Sequence, residues 1–338
     1  MKIRHQPVLS KPITAIDVAQ LAGVSQSAVS RYFTAGASIS EKTRVKVKAA
    51  ADQLGYQPNA IARSLITSRS NIIAVVMGYF ANPFYAQALD KLCRKLSAMG
   101  YGVLIFETNG KDSEPQVEQM LAYRVDGVLL LSANLTSKLA NRLGLNGIPT
   151  VLMNRRDLKG VNPSVVADNR KGAREIAKYL SSKGYRRFAF IAGLKNSSTN
   201  RDRQKGFTET LKALGHAPPV VVSGEYDPVL ASAAVKTLFK NKSECPDALF
   251  VANDHMACAV LDTLRYHLKL KVPQDVAVVG FDDAPTASWL SYGLTTYSQP
   301  VNHMVDEAIS LLVDRIAKPQ QKFQTRTVPG ELIIRTSA

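Results

Sequence analysis

Seven apolar runs rich in β-branched residues lie between Ile72 and Gly280, separated by stretches with helical spacing, and this alternation constrains the chain more than any other feature. The runs fall at 72–77, 101–106, 126–131, 148–153, 187–192, 247–252 and 276–280. They carry few polar residues on either face, which is what strands need when helices cover both sides of a parallel sheet. Amphipathic helices are predicted between them at 84–99, 116–123, 171–182, 202–214, 228–240 and 254–268. Such alternation gives parallel sheets covered by helices, and 338 residues suffice for two or three compact units.

Ligands of open α/β sheets bind beyond the carboxyl ends of the strands. That rule gathers Asn82 to Tyr85, Asn154 and Arg155, a long loop predicted over 193–201 and ending near Arg203, Asn253 and Asp254, and Asp282 and Asp283. Asp282 can accept bonds from paired hydroxyls, Arg203 offers a fork of donors, and Asn253 can do both. Phe84 or Trp289 is a candidate apolar face for a small polar molecule. Asp168, Asp254 and Asp283 read instead as caps or loop fixers.

The first 70 residues follow different rules. In TAIDVAQLAGVSQSAVSRYF, from Thr14 to Phe33, Thr14 and Asp17 form a capping-box-like start, and Val18, Leu21 and Ala22 are predicted on one buried face. Gly23 suits a tight turn, and Ser25 can cap a second helix whose Ala28, Val29 and Phe33 face inward. Gln26, Ser27 and Arg31 are left outward, and Gln and Arg are side chains that read adenine and guanine edges. A third helix is predicted from Ser40, its cap, to Leu54, with Val45, Ala49 and Leu54 buried and Gly55 ending it. Lys42, Arg44, Lys46 and Lys48 crowd its surface. A short helix is predicted over 59–66, with Pro58 before it and apolar Leu65 near its end. Two helices joined by a tight turn on a basic segment form the layout that places a helix in the DNA major groove.

Charge agrees with that reading. The net charge is +16, and residues 1–70 hold ten Lys/Arg against three Asp/Glu. Net positive charge is therefore about three times denser there than in the rest of the chain, as attraction to phosphates favours. The segment 1–13 is basic without an apolar stretch, so a flexible arm is expected rather than a secretory signal, and no apolar run reaches the ~18 residues of a membrane span. Cys93, Cys245 and Cys258 have no metal-site spacing, and the five histidines are scattered. Neither GxGxxG after a strand nor GxxxxGK[ST] occurs, so the expectation is a non-enzyme without cofactor or metal.

The runs IDVAQLAGVSQSAVSRYF, ISEKTRVKVKAAADQLGYQPNAIARSL, VANDHMACAV and VAVVGFDDAP resemble the lactose-repressor (LacI/GalR) family of bacterial transcription regulators, over 14–335. The resemblance implies an all-α helix-turn-helix headpiece at 14–57, a hinge helix and linker at 58–70, and a two-lobed, periplasmic-binding-protein-like core at 71–338. Family topology implies a first lobe of 71–167 and 301–328 and a second of 168–297 and 329–338. It implies effector contacts at Arg203, Asn253, Asp282, Asn154 and Gln299, with Phe84 added from the strand-end rule. Candidate DNA contacts are Thr14, Ser25, Gln26, Ser27, Ser30, Arg31, Asn59, Ala60, Arg63 and Leu65. The expected partners are a pseudo-palindromic double-stranded operator, a sugar or sugar-acid effector and a second copy of the chain, in the bacterial cytoplasm at the nucleoid. A coiled-coil tetramer is not expected, since the tail to Ala338 has no apolar heptads. Gln26 and Ser27 depart from pairs common in the family, so no operator sequence carries over.

Overall fold

The computed structural model describes residues 13–34, 36–58, 69–108, 114–131, 137–157, 162–319 and 325–338. The chain divides into two compact units, Met1–Ser70 and Asn71–Ala338.

In the first unit, helices span Ala15–Ala22, Gln26–Tyr32 and Glu41–Leu54. Thr14 and Asp17 close a capping box: the Thr14 N–H donates to Asp17 Oδ2 at 2.7 Å, and the Asp17 N–H donates to Thr14 Oγ1. Gly23 ends the first helix at φ 62°, a left-handed geometry that side chains resist, and Ser25 accepts from the Ala28 N–H to start the second. Val18, Ala19, Ala22, Val29, Val47, Ala50 and Ala51 make the small core. Phe33 packs at its edge, edge-on to Tyr32 and Tyr56.

Three residues predicted on buried faces lie outward: Leu21, Val45 and Ala49. In the third helix, Val47, Ala50, Ala51 and Leu54 keep helical spacing on one face, and Val45 is about 200° from Val47 around the axis, given ~100° per residue. Both phases contain apolar residues, and contact with the first helix selects the second. Leu21 lies beyond the stripe that Val18, Ala19 and Ala22 already fill.

The second unit contains two six-stranded sheets. The first has the order β11-β5-β4-β3-β1-β2, all parallel, with β1 Ile72–Met77, β2 Gly102–Glu107, β3 Gly127–Leu131, β4 Thr150–Met153, β5 Ser164–Ala167 and β11 Thr325–Val328. The second has the order β12-β10-β9-β8-β6-β7, with β6 Phe188–Ala192, β7 Val220–Ser223, β8 Ala248–Val251, β9 Ala277–Asp282, β10 Thr295–Ser298 and β12 Leu332–Ile333. β12 runs antiparallel to β10 at one edge.

Each sheet takes strands from separated parts of the chain, which crosses between them three times. Asp168 donates its N–H to the Val328 carbonyl at 3.0 Å, and Ser298 donates to the Glu331 carbonyl at 2.8 Å, so the crossings are bonded side by side. The Val301–Ala317 helix covers one face of the first sheet: Met304, Val305, Ala308, Ile309 and Leu312 pack with Val75, Leu129, Val151 and Val165. Gly127 makes room for it, since a Cβ there would lie 2.9 Å from Leu312 Cδ1. The second sheet centres on Phe190, Phe207, Phe250 and Phe281, whose rings touch in sequence.

Candidate functional sites

On the first unit, Gln26, Ser27, Ser30 and Arg31 are all exposed on the Gln26–Tyr32 helix, while Ala28 and Val29 anchor its other side. Ser25 and Ser27 share a hydroxyl contact at 2.9 Å, and Arg31 Nε reaches back to the Ser27 carbonyl at 3.4 Å. Thr14 and Ser25 are exposed at the N-termini of two helices, where free N–H groups favour an anion. Asn59, Ala60, Arg63 and Leu65 lie outside the described residues.

In the second unit, a narrow cleft lies between the two sheets. Tyr79, Asn82, Tyr85 and Asn154 line it from the first lobe, and Thr199, Arg203, Tyr226, Asn253 and Asp282 from the second. Each position follows from local structure. Asn82 caps the Pro83–Ala98 helix by accepting from the Phe84 N–H, which turns Tyr85 to the cleft. Asn154 ends β4 at φ 63°, and its Nδ2 donates to the Tyr85 hydroxyl at 3.2 Å. Asn253 caps the Asp254–Asp262 helix: its Oδ1 accepts from the Met256 N–H at 3.0 Å, which leaves its NH₂ for another partner.

The buried polar centre is Arg203 with Asp282. Arg203 is 2% exposed, its guanidinium lies 3.7 Å over the Phe281 ring, and Nη1 is 3.7 Å from Asp282 Oδ1. Arg203 Nε donates to Asn169 Oδ1 at 2.8 Å, and Nη1 donates to the Ala252 carbonyl. Asp282 accepts from Gln299 Nε2 at 2.6 Å and also from the Asn82 side chain. Asp282 sits at φ 137°, a backbone region that glycine adopts far more readily, so its neighbours hold it there against strain.

Two expectations about these residues need correction. Phe84 does not face the cleft; it is 1% exposed in the first lobe's core, edge-on to Tyr85. With Asn82 as cap, Phe84, Ala88 and Leu92 fall on the inward stripe and Tyr85 one step round. The segment 198–201 is not loop: the helix begins at Ser198, capped by Ser197, so Thr199 and Arg203 share one helix. Asn253 and Asp282 likewise stand at element ends, as a cap and as the last residue of β9.

Gln299 adjoins the cleft through Asp282, and Trp289 is 57% exposed and absent from the lining. Tyr79 and Tyr226 had no sequence signal, since each lies in a turn. The Tyr79 hydroxyl donates to the Tyr226 carbonyl across the lobes. Arg156 makes a second bridge: its N–H donates to Ser198 Oγ at 3.1 Å, and its guanidinium pairs with Asp202. Asp168 caps the Asn169–Ser182 helix, and Asp283 pairs with Arg335 at 2.7 Å.

Burial shapes the electrostatics. Desolvation pushes the Tyr85 hydroxyl up to about 12, so it stays a neutral donor. Burial lowers His255, keeping its imidazole neutral. Asp254 is fully buried, accepts from Thr296 Oγ1 at 2.6 Å and the Ala284 N–H at 2.9 Å, and is raised by desolvation and then by the nearby Asp282 charge. Asp282 is raised by desolvation, with Arg203 opposing. Both folded values exceed the ordinary 3.8, so the folded state binds the extra proton. The stability this contributes is complete below 3.8 and is lost as pH rises through the raised folded values. Wild type should therefore lose melting temperature relative to Asp254→Asn between about pH 5 and about pH 9. A constant gap across that range would show that Asp254 is ionised throughout.

Comparison with known proteins places both units. Residues 14–59 match the model of bacterial regulatory proteins of the lacI family, and 177–338 match a periplasmic binding protein-like domain. The chain is 32% identical to the ribose operon repressor of Escherichia coli K12, over 96% of this chain and 99% of that protein. It is 34% identical to the HTH-type transcriptional regulator CelR of Thermobifida fusca, over the whole of both. Among solved structures, it is similar to a lac repressor dimer bound to operator and the anti-inducer ONPF, with TM-score 0.87 and 26% identity, over 97% of this chain and 99% of that one. It also resembles a CelR–cellobiose complex, with TM-score 0.74 and 32% identity, over 96% and 100%. With a helix-turn-helix unit followed in sequence by a two-lobed α/β core, the chain belongs to the lacI family of DNA-binding bacterial transcription regulators.

Proposed function

We propose that this regulator is a homodimeric repressor whose hold on a pseudo-palindromic operator is set by a small polyhydroxylated effector in the cleft. The observation that carries this reading is the buried cluster of Arg203, Asp282, Asn253 and Gln299, reached from both lobes and holding unmatched hydrogen-bonding atoms. Among the described residues, Asn154 Oδ1 and Gln299 Oε1 have no partner, and a buried polar atom without one is costly unless a ligand supplies it. Relatives support the choice: one is named for ribose and another was solved with cellobiose. A ligand that touches both lobes favours the closed arrangement, and it shifts the equilibrium by its differential affinity for the two states. Closure would move the paired first lobes of a dimer, and with them the segments leading to DNA. Neither catalysis nor a cofactor is part of this reading, and the place of action is the cytoplasm, at the nucleoid.

The test is operator binding by fluorescence anisotropy with and without candidate sugars and sugar acids. A change in operator affinity with a ligand that also shifts the melting temperature supports the reading; a basic core indifferent to every such ligand favours an architectural DNA-binding protein instead.

Base reading is assigned to Gln26, Ser27 and Arg31, with Thr14, Ser25 and Ser30 on phosphates or the groove edge. Arg31→Ala should weaken the preferred site by about 1–3 kcal/mol, the worth of one bidentate base contact, and random DNA by less. Equal losses on both would make Arg31 a phosphate contact.

A further inference from the structure

Arg155 follows Asn154 at the end of β4, and its Nη2 is buried without a hydrogen-bond partner. Among the described residues it makes no ion pair. The groups that act on its charge are the hydroxyls of Tyr85 and Tyr226, both on the cleft wall, and the like-charged Arg201. The carboxylates of this region are engaged elsewhere. Asp282 serves Arg203 and Gln299, Asp202 serves Arg156, and Asp254 is bonded to Thr296 and Ala284. A guanidinium cannot shed its proton to escape burial, so Arg155, which is not itself part of the cleft lining, stands near Tyr85 and Tyr226 of its wall as a positive charge without a counterion among the described residues. Two other unmatched atoms near the cleft are of the opposite kind: Asn154 Oδ1, one residue before Arg155, and Gln299 Oε1, whose amide nitrogen bonds Asp282, are acceptors without a donor among the described residues.

We infer that the effector is an anionic polyol, whose carboxylate or phosphate oxygens are received by Arg155 and the Tyr85 hydroxyl while its hydroxyls donate to Asp282, Asn154 and Gln299. The inference rests on the cleft being the effector site and adds the charge of the ligand to it. A neutral sugar would satisfy the acceptors but leave Arg155 uncompensated. An oxyanion meets the guanidinium with charge-assisted bonds, stronger than neutral ones.

The test uses the full chain with a matched set: D-glucose, D-gluconate, D-glucuronate, glucose 6-phosphate, D-ribose, D-ribonate and ribose 5-phosphate. Thermal shift ranks them, calorimetry measures the affinities, and operator anisotropy reads the response. An anionic member should bind more tightly than its neutral parent, and the carboxylates against the phosphate esters identify the source of the oxyanion. Arg155→Met should weaken that anion about 10- to 100-fold, the worth of a hydrogen bond to a charged group, and leave the neutral parent nearly unchanged. Arg155→Lys should recover part of the loss. The inference is overturned if Arg155→Met retains the affinity for the anion. A neutral sugar that binds as tightly as its acids and alters operator affinity also overturns it, while leaving the effector-gated reading intact. No response from any member, in melting or in operator binding, counts against both.

Discussion

Asp282→Asn should abolish the effector response and lower the stability of the core, while Arg203→Met should cost stability in a pH-dependent way. The difference follows from which charge is stranded. Removing the Asp282 charge leaves the buried Arg203 guanidinium with Phe281, Asn169 and Ala252 as its remaining partners. Breaking a buried pair from one side costs about 3–5 kcal/mol. Removing Arg203 instead leaves a carboxylate that can take up a proton, and desolvation already raises Asp282. The loss in Arg203→Met should therefore be smaller at pH ~6 than at pH ~8, whereas that in Asp282→Asn should shrink as pH rises, because wild type gives up the protonation of Asp282 and Asp254 over the same range. Effector affinity in Asp282→Asn should fall at least about 100-fold, near the upper worth of a hydrogen bond to a charged group. Operator binding without effector should stay near wild type, since the residues proposed to read DNA belong to the other unit. Chemical denaturation at the two pH values and calorimetry measure each part. Full ligand affinity in Asp282→Asn would remove the effector from this place, and equal losses for Arg203→Met at both pH values would mean that Asp282 stays ionised alone.

Gly193→Ala should damage the cleft from behind. Gly193 follows β6, and a Cβ there would lie 2.2–2.5 Å from the Tyr226 ring. Tyr226 is held from several sides: its hydroxyl meets Thr199 Oγ1 at 3.0 Å and Ser197 Oγ at 3.3 Å, and its carbonyl accepts from Tyr79. The ring cannot retreat without giving these up. Overpacking of this kind costs about 1–3 kcal/mol, and effector affinity should fall about tenfold or more as the wall shifts, equal to ~1.4 kcal/mol or above. Gly144→Ala is the control. Gly144 lies in the Ser137–Leu145 helix with open space where the Cβ would go, so alanine should stabilise by up to about 1 kcal/mol. Unchanged ligand affinity in Gly193→Ala would show that Tyr226 does not shape the site.

Much of this was legible in the residues. The apolar runs placed β1, β3, β4, β6, β8 and β9 to within a few positions, because strands buried on both faces need uninterrupted apolar sequence. The edge strands β7, β11 and β12 were not readable, being short and partly exposed, with polar residues interleaved. The strand-end rule gathered Asn253 and Asp282, and the loop expected after β6 gathered Arg203; all three line the cleft, though Arg203 reaches it from a helix. Phe84 was misread because aromatic character alone does not say which way a side chain points; the cap at Asn82 fixes the helix phase, and that phase buries Phe84 and presents Tyr85. Tyr79 and Tyr226 were missed because each takes its place from tertiary packing around a turn, with no periodicity to mark it. Arg155 was gathered with the strand ends, but its lack of a counterion is visible only once the neighbouring carboxylates are seen to be engaged.

The threefold crossing of the chain also has a consequence for how the protein is made. The helix that shields β1, β3, β4 and β5 of the first sheet is Val301–Ala317, and β11, which pairs with β5, follows it. When the ribosome has finished Ala167, about 150 residues must still be added before that helix is complete. At ~5–20 residues per second this is a delay of roughly 8–30 s, during which Val151, Met153 and Val165 lack their cover and β5 has an open edge. The nascent first lobe is thus a natural client for chaperones that hold apolar segments, and the second lobe is the part that can mature earlier. A chain released early, before Val301, would keep the DNA-reading helices and nearly the whole second sheet, yet carry a first lobe with its apolar face exposed and prone to aggregation.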